Sequence, residues 1–227
     1  KNITRNELME KLINQEDIST SQPSPEDVMN LWDGVLEEYD NILYMPLSSG
    51  LSGSYSTAAM LAQEEKYKEK VYVVDHGRIS TPLHQSILDA LEMIEEGLSA
   101  SEIKLKLEQA KQKMAIFIAV DDLKYLRRGG RILNIKPILS LDIGILELYK
   151  KCRGLQKAKK TMIEDIKTIL SEQYSEEFKN GDIHLLAASS ADDETTQRWV
   201  QDIKEAFPGH EVMCDYLSFG VTCHTGP

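Results

Sequence analysis

Short apolar runs and amphipathic stretches alternate along the first half of the chain. The runs rich in β-branched and aromatic residues are Ile42–Leu47, Val71–Asp75 and Ala115–Val120. They are followed by apolar residues at helical spacing from about Ser54, Pro82 and Asp122. Strands that alternate with helices predict a mostly parallel sheet that is covered by helices on both faces.

Three helix starts are marked by hydroxyl residues. Thr4 and Ser99 each precede a glutamate by three residues, Glu7 and Glu102, and Ser24 precedes a proline. A hydroxyl and a carboxylate at this spacing form a capping box, and proline is favoured in the first turn of a helix. Helices are therefore predicted to begin at these three positions.

The second half of the chain follows a different order. Pro137–Leu141 and Ile145–Lys150 flank a short turn that ends at Gly144, which predicts a β-hairpin. After the hairpin the pattern predicts a helix near Leu155–Tyr174, a strand at Ile183–Ala188, a helix near Asp193–Phe207 and a strand at Glu211–Leu217. We therefore predict an α/β protein of two domains. The first, at residues 1–113, is a three-layer domain with a parallel sheet, and the second, at residues 114–227, is an α/β domain with a mixed sheet.

Composition narrows the class of protein. The 227 residues are 41% hydrophobic and 28% charged, as in a folded, soluble chain. No window approaches the roughly 18 consecutive apolar residues of a membrane-spanning helix. Three cysteines without a CxxC pair argue against a disulfide framework or a zinc site and favour a reducing compartment. The chain opens at Lys1 without a methionine and without a basic and apolar leader, so we expect a cytoplasmic protein whose start is incomplete.

The charge of the chain is unevenly distributed. The net charge of −11 argues against a nucleic-acid-binding protein, since binding to phosphates requires clustered lysine and arginine. Residues 124–160 nevertheless carry a net charge of +9, and we call them the basic segment. Its eleven basic residues are Lys124, Arg127, Arg128, Arg131, Lys136, Lys150, Lys151, Arg153, Lys157, Lys159 and Lys160. The segment is either a solvated surface or a docking surface for an anionic group or an acidic partner.

The loop after the first predicted strand is the first candidate site. Pro46–Tyr55 combines glycines with serines immediately before a helix. Glycines allow close approach of a ligand to the backbone, and the start of a helix favours an anion such as a carboxylate or phosphate. An ordinary turn between a strand and a helix has the same composition, so spacing alone leaves both interpretations open.

Three further strings are polar or glycine-rich. Thr20–Ser24 ends in a helix cap and is explained equally well by turn chemistry. His224 lies beside Thr225, Gly226 and Pro227 and is expected in a loop. Asp121–Arg131 predicts a short helix that is stopped by a glycine pair and followed by arginine.

Taken together and in this order, the strings resemble the signature of the DegV family. The resemblance rests on Thr20–Ser24, the run from Ser48 to Tyr55, Val74-Asp75, Leu123–Ile132, Ile135–Ile138 and His224–Pro227. It spans nearly the whole chain. It implies a DegV-like fold of two α/β domains with a fatty acid between them. Bacterial members of the family include the binding subunits of fatty acid kinase, which offer the acyl carboxylate to a separate ATP-using subunit.

The resemblance also implies the site residues. The hydroxyls that bind the carboxylate are Thr20 and Ser52, with Ser21, Ser49 and Gly53 close by and His224 near the same head group. Arg131 and Arg153 are expected at the mouth of the site, in contact with a phosphoryl group or the kinase subunit. The expected ligand is a long-chain fatty acid such as palmitate, stearate or oleate. No catalytic residue, metal or cofactor is expected, and neither is nucleic acid or stable insertion into a membrane.

The chain departs from the family pattern in four places. The opening strand with its Asp-Ser motif is missing before Lys1, and a glycine and an alanine are missing after Pro227. A connection rich in small residues is missing between Ile132 and Leu133, so the loop of Arg131 differs from the family pattern. His76 stands where the family usually has a small hydroxyl residue.

A serine hydrolase or esterase is the alternative function. It would use Ser52 and His224 with an aspartate such as Asp75. The string from Gly50 to Ser54 lacks the second glycine of the G-x-S-x-G motif, which argues against this alternative. A nucleotide-binding protein is disfavoured because neither a P-loop nor a dinucleotide fingerprint is present.

Overall fold

A computed structural model of the chain describes residues 3–120, 135–142 and 144–226. The chain forms two compact units. The first unit comprises Ser21–Met114 and Leu141–Leu146, and the second comprises Lys1–Thr20, Ala115–Ser140 and Glu147–Pro227. The N-terminal 20 residues therefore group with the second unit. The division into domains at residue 113 stays a prediction.

Both units contain helices and strands. The helices are α1 Arg5–Ile13, α2 Pro25–Val35, α3 Ser54–Leu61, α4 Thr81–Glu95, α5 Ala100–Gln109, α6 Leu155–Gln173, α7 Ser175–Asn180, α8 Asp193–Ala206 and α9 Phe219–Thr225. The strands are β1 Ile42–Tyr44, β2 Val71–Val73, β3 Ile116–Ala119, β4 Ile135–Asp142, β5 Ile145–Arg153, β6 Leu185–Ser189 and β7 Val212–Tyr216. A short 3₁₀ helix, Ala110–Gln112, follows α5. No helix among these described residues is long and apolar enough to cross a bilayer.

The first unit has three layers. Strands β1 and β2 pair in parallel, with Ile42 opposite Val71. One face of the pair packs against α2 and α3 around the buried Trp32, and the other face packs against α4 and α5 around Val74 and Ile103. Apolar side chains alternate between the two faces because successive residues of a strand point in opposite directions.

The second unit contains two small sheets. One has the order β3-β4-β5, and only two residues connect β4 to β5, so these two strands run antiparallel. The other pairs β6 and β7 in parallel, with Leu185 opposite Val212. The half-buried Trp199 of α8 packs against the apolar clusters of both sheets. Parallel and antiparallel pairings on helix-covered sheets confirm the predicted α/β class.

The structure confirms most predicted elements and corrects their ends. Thr4 and Ser99 form capping boxes with Glu7 and Glu102, and the Ser24 hydroxyl accepts from the Asp27 amide. The observed strands β1 and β2 are shorter than predicted because their last residues lie in the loops that follow. Helices α7 and α9 were not predicted. The helical pattern from Asp122 lies outside the described residues.

Candidate functional site

The loop between β1 and α3 is organised around Ser48, which is 1% exposed. Its carbonyl oxygen accepts from the amides of Leu51 at 2.9 Å and Ser52 at 3.2 Å. Its hydroxyl donates to the Gly144 carbonyl at 3.2 Å and accepts from the Gly50 amide at 3.3 Å. We call residues 48–53 the head-group loop. The Ser48 amide also donates to the Arg78 carbonyl at 3.4 Å. Since five hydrogen bonds converge on one buried serine, the backbone of this loop is tightly fixed.

Ser52 lies at the end of the head-group loop and is half-buried. Its oxygen accepts from the Ser54 amide at 3.2 Å and lies 2.8 Å from the Ser54 hydroxyl oxygen. When Ser54 donates in this pair, the Ser52 hydrogen is available for another acceptor. Gly53 is the N-cap of α3, and the amides of the first turn add a partial positive charge there. The site therefore suits an anionic oxygen.

Gln22 is a contact of this region that sequence analysis missed. Its side-chain amide donates to the Thr57 hydroxyl at 3.0 Å, which joins the residue 20–24 loop to α3. A methyl group on Gly53 would lie 2.8 Å from the Gln22 side-chain carbonyl oxygen, closer than a Cβ atom normally approaches another heavy atom, so the Gln22 side chain would have to shift. Gly53 thus leaves the space that Gln22 occupies. The position of Gln22 inside the candidate string Thr20–Ser24 was the available signal.

Ser49 is hydrogen-bonded to the end of β2. The Asp75 carboxylate accepts from its hydroxyl at 2.8 Å and from its amide at 3.2 Å. The Lys111 ammonium donates to the same carboxylate at 2.7 Å. Burial alone would raise the pKa of Asp75, but the hydrogen bonds from Lys111 and Ser49 outweigh it and hold the pKa below its ordinary value. Because a hydroxyl has one hydrogen, Ser49 donates to another acceptor only when it leaves Asp75.

His76 is fully buried, and the structure explains its presence. Its Nε2 lies 2.7 Å from the Pro46 carbonyl oxygen, and its Nδ1 accepts from the Arg78 amide at 3.0 Å. An Nε2 atom that donates and an Nδ1 atom that accepts define the neutral imidazole. Burial holds the pKa of His76 below its ordinary value, and the nearby Arg78 acts in the same direction. His76 thus joins the loops that follow β1 and β2.

Thr20 and His224 form a pair in the second unit. The Thr20 hydroxyl oxygen lies 3.0 Å from His224 Nε2, and both side chains are exposed. His224 was expected in a loop but lies in α9, which ends at Thr225. The helix brings its ring to Thr20, more than 200 residues earlier in the sequence. Either atom of this pair can donate, since the imidazole tautomer decides the direction.

The remaining predicted site residues are Ser21, Arg131 and Arg153. Ser21 and Arg153 are exposed, and Arg153 is the last residue of β5. Arg131 lies outside the described residues. Within the basic segment, Lys150 forms an ion pair with Asp165 at 2.7 Å, and the Lys159 ammonium lies 5.1 Å from the centre of the Trp199 ring. Part of the segment is therefore engaged within the chain.

The described part of the chain contains no cluster of histidine, cysteine and acidic residues that could hold a metal ion. The residues of the hydrolase alternative each have other partners within their own unit. Ser52 is bonded to Ser54, His224 to Thr20, and Asp75 to Ser49 and Lys111. These hydrogen bonds give no support to a catalytic triad in which Ser52 is bonded to His224 and His224 to Asp75.

The comparison with models of protein families shows to which family the chain is related. The family model described as "Uncharacterised protein, DegV family" matches residues 1–227. The chain belongs to the DegV family. A DegV domain-containing protein of Staphylococcus aureus strain N315 is 34% identical over 178 residues, which are 72% of this chain and 63% of that protein. The matched region thus spans less than two thirds of the length of this relative.

Solved structures of DegV-family proteins share the fold. A fatty-acid-binding DegV-family protein from Thermus thermophilus is 28% identical with a TM-score of 0.80, covering 100% of this chain and 82% of that chain. A Thermotoga maritima protein, whose structure is described as revealing a fatty-acid-binding function, is 29% identical with a TM-score of 0.75, covering 99% of this chain and 81% of that chain. The α/β architecture of this chain is therefore the DegV fold.

Proposed function

We propose that this DegV-family chain binds a long-chain fatty acid such as palmitate, stearate or oleate. One observation carries the proposal: the likeness to the fatty-acid-binding protein of Thermus thermophilus extends over 100% of this chain. The hydroxyl groups and helix start of the head-group loop support it, because they suit a carboxylate. The chain needs no cofactor for this function.

Thr20 and Ser52 are the proposed donors to the carboxylate. A carboxylate accepts strong hydrogen bonds from neutral donors, and each of these hydroxyls has a neighbour that can leave its hydrogen free. For Thr20 the neighbour is His224, which can donate from Nε2, and for Ser52 it is Ser54. Gly53, Ser49 and Ser21 are proposed to lie near the same head group. While Asp75 holds its hydrogen, the Ser49 hydroxyl cannot donate to an ionised carboxylate, so Ser49 would lie near the head group without a hydrogen bond to it.

The acyl tail is proposed to supply most of the affinity. Burial of a methylene group contributes about 0.8 kcal/mol, so a tail of roughly fourteen methylenes contributes on the order of 11 kcal/mol before the costs of ordering. The carboxylate then needs only enough hydrogen bonds to offset the cost of burying its charge. Neutral donors leave the carboxylate more nucleophilic than an arginine clamp would.

We further propose that the chain is a carrier without catalysis of its own and that it acts in the cytoplasm. It would present the acyl carboxylate to a separate fatty acid kinase subunit, which transfers a phosphoryl group from ATP to a carboxylate oxygen. Arg131 and Arg153 would contact the phosphoryl group or an acidic surface of that subunit. The exposed position of Arg153 supports its role.

The test is ligand identification followed by direct binding. Protein from a bacterial host is extracted with organic solvent, and the extract is analysed by mass spectrometry; delipidated protein is then titrated with oleate and palmitate. We expect about one long-chain fatty acid per protein molecule and saturable binding on titration. An extract without fatty acid, from protein that also fails to bind added oleate and palmitate, would overturn the proposal.

A further inference from the structure

Three glycines meet at the turn between β4 and β5. A methyl group on Gly50 would overlap the carbonyl oxygen of Gly144 and would lie 2.8 Å from its carbonyl carbon. A methyl group on Gly144 would overlap the Ser48 hydroxyl oxygen and would lie 3.5 Å from the Gly77 Cα atom. Real Cβ atoms essentially never approach other heavy atoms below 3.0 Å. The turn is thus seated directly on the head-group loop.

Lys111 links Gly77 to the head-group loop through Asp75. The methylenes of Lys111 cover Gly77, where an added methyl group would lie 2.6 Å from the Lys111 Cγ atom. The Lys111 ammonium then holds Asp75, and Asp75 holds the Ser49 hydroxyl and amide. Two consecutive loop residues, Ser48 and Ser49, are therefore held by different partners. All of these contacts lie within the first unit.

The hydrogen bonds of Ser48 connect this junction to the candidate ligand residue. The Gly144 carbonyl accepts from the Ser48 hydroxyl, and the Ser48 carbonyl accepts from the Ser52 amide at 3.2 Å. A displacement of the turn removes the acceptor of a buried hydroxyl, and a buried donor without a partner is strongly unfavourable. Ser48 would then move with the turn, and so would the Ser52 amide.

We propose that Gly144 positions Ser52 for the ligand head group. It would act through Ser48 and through Gly50, whose lack of a side chain allows the close contact. The inference rests on the proposed function, since it assigns the head group to Ser52. The turn belongs to the β4–β5 hairpin, which continues into Arg153.

The test uses two glycine substitutions with matched controls. Gly50→Ala is compared with Gly34→Ala, where nothing lies within 4 Å of the added methyl group. Gly144→Ala, at a φ of +84°, is compared with Gly97→Ala, at a φ of +86° and with nothing within 4 Å. The second pair shares the backbone strain of alanine at positive φ, so only the contact with Ser48 differs. Ser48→Ala is a milder third variant that keeps every glycine.

The first readout is the ratio of the affinities for palmitate and for the alcohol of the same length. We expect about a tenfold loss for palmitate in Gly50→Ala, Gly144→Ala and Ser48→Ala, a smaller loss for the alcohol, and parental values in both controls. A purely structural role lowers the melting temperature without changing this ratio. A parental ratio in all three variants would therefore overturn the inference while the binding proposal stands.

The second readout does not depend on a ligand. Amide hydrogen exchange is measured for Ser52 and Ser54 by NMR in the same variants. Protection of the Ser52 amide is expected to fall in Gly144→Ala and Ser48→Ala but not in Gly97→Ala, although none of these changes removes its acceptor, the Ser48 carbonyl. Unchanged protection would contradict the positioning role. Lost protection in these two variants, together with a parent that binds no fatty acid, would confirm the coupling and overturn only the assigned ligand.

Discussion

The hydroxyl oxygen of Thr20 lies 3.0 Å from Nε2 of His224. The two residues stand near opposite ends of the sequence, and α1 and α9 belong to the same compact unit. When His224 donates from Nε2, the Thr20 hydrogen points away from the imidazole and is available to an anionic ligand. A histidine beside a hydroxyl therefore controls which way that hydroxyl donates.

Removal of either proposed hydroxyl donor should weaken binding of the acid. Thr20→Ala and Ser52→Ala are each expected to cost about 1 to 3 kcal/mol in fatty-acid affinity, the usual effect of losing a hydrogen bond to a charged group. The fatty alcohol of the same length should discriminate less between variant and parent. Isothermal titration of both ligands is the measurement, with Thr168→Ala and Ser171→Ala as exposed-hydroxyl controls. Equal affinity of the parent and the double variant for the acid would show that the head group binds elsewhere.

His76 should make the stability of the protein fall in mild acid. Its folded-state pKa lies below the ordinary value of 6.5, so between these two values the unfolded chain binds a proton that the folded chain excludes. The stabilising contribution is thus fully present above about pH 6.5 and is lost as the pH falls towards the depressed pKa. Urea unfolding at several pH values between about 7 and 5 should show a decrease that is smaller in His76→Gln.

The control for His76 is His184→Gln, which removes an exposed imidazole and measures separately the effect of losing a histidine elsewhere in the chain. Asp75, Arg78 and Lys111 also influence His76, so they remain unchanged in both variants. Identical pH profiles of His76→Gln and the parent would show that His76 does not contribute to the pH dependence of stability.

The ion pair of Asp75 and Lys111 should stabilise the head-group loop above the acid range. The pKa of Asp75 is held below its ordinary value of 3.8, so its contribution is present above that value and is lost as the pH falls through the folded-state pKa. Lys111→Met is expected to cost about 1 kcal/mol near neutral pH, since the pair is partly exposed. Thermal unfolding at about pH 7 and pH 3 measures this difference, which should shrink in acid.

The exposed Lys113→Met is the matched control for Lys111→Met, because it removes the same charge two residues away. A loss of stability of equal size in both variants would assign the effect to net charge. A difference between Lys111→Met and the parent that stays constant down to about pH 3 would exclude Asp75 as the partner that matters.

The basic segment should act in the presentation of the fatty acid to the kinase subunit. Arg153→Glu, alone or with Arg131→Glu, is expected to leave the affinity for a fluorescent fatty acid nearly unchanged, because the proposed carboxylate donors are neutral. Formation of acyl phosphate with the kinase subunit should fall about tenfold or more, and the parental reaction should slow as salt screens the attraction. Lys68→Glu, at an exposed lysine outside the segment, is the control.

Two results would contradict the role of these arginines. Loss of fatty-acid binding in Arg153→Glu would assign the arginine to the ligand site rather than to a partner surface. Full kinase turnover in the double variant, at low and at high ionic strength, would make the basic segment an ordinary solvated surface. The ion pair of Lys150 with Asp165 already accounts for one of its charges within the chain.

Local signals in the sequence determined the elements of this fold. The caps at Thr4, Ser24 and Ser99 were readable because a cap is a contact between residues three positions apart. The alternation of strands and helices predicted the α/β class for a similar reason, since apolar periodicity reflects which face of each element is buried. The order of several short strings indicated the DegV family, to which the chain belongs. Whether Thr20 and Ser52 bind a carboxylate stays a prediction.

The family resemblance placed Thr20 and His224 near one head group, but only the tertiary structure decided which distant residues are in contact. Nothing in the spacing of Thr20 and His224, of Ser48 and Gly144, or of Asp75 and Lys111 predicts that they are in contact. His76 had no interpretation until its burial and its bonds to the Pro46 carbonyl and the Arg78 amide were known. The physical reason is that periodicity encodes burial of one element at a time, whereas a hydrogen bond between loops depends on how all the intervening elements pack.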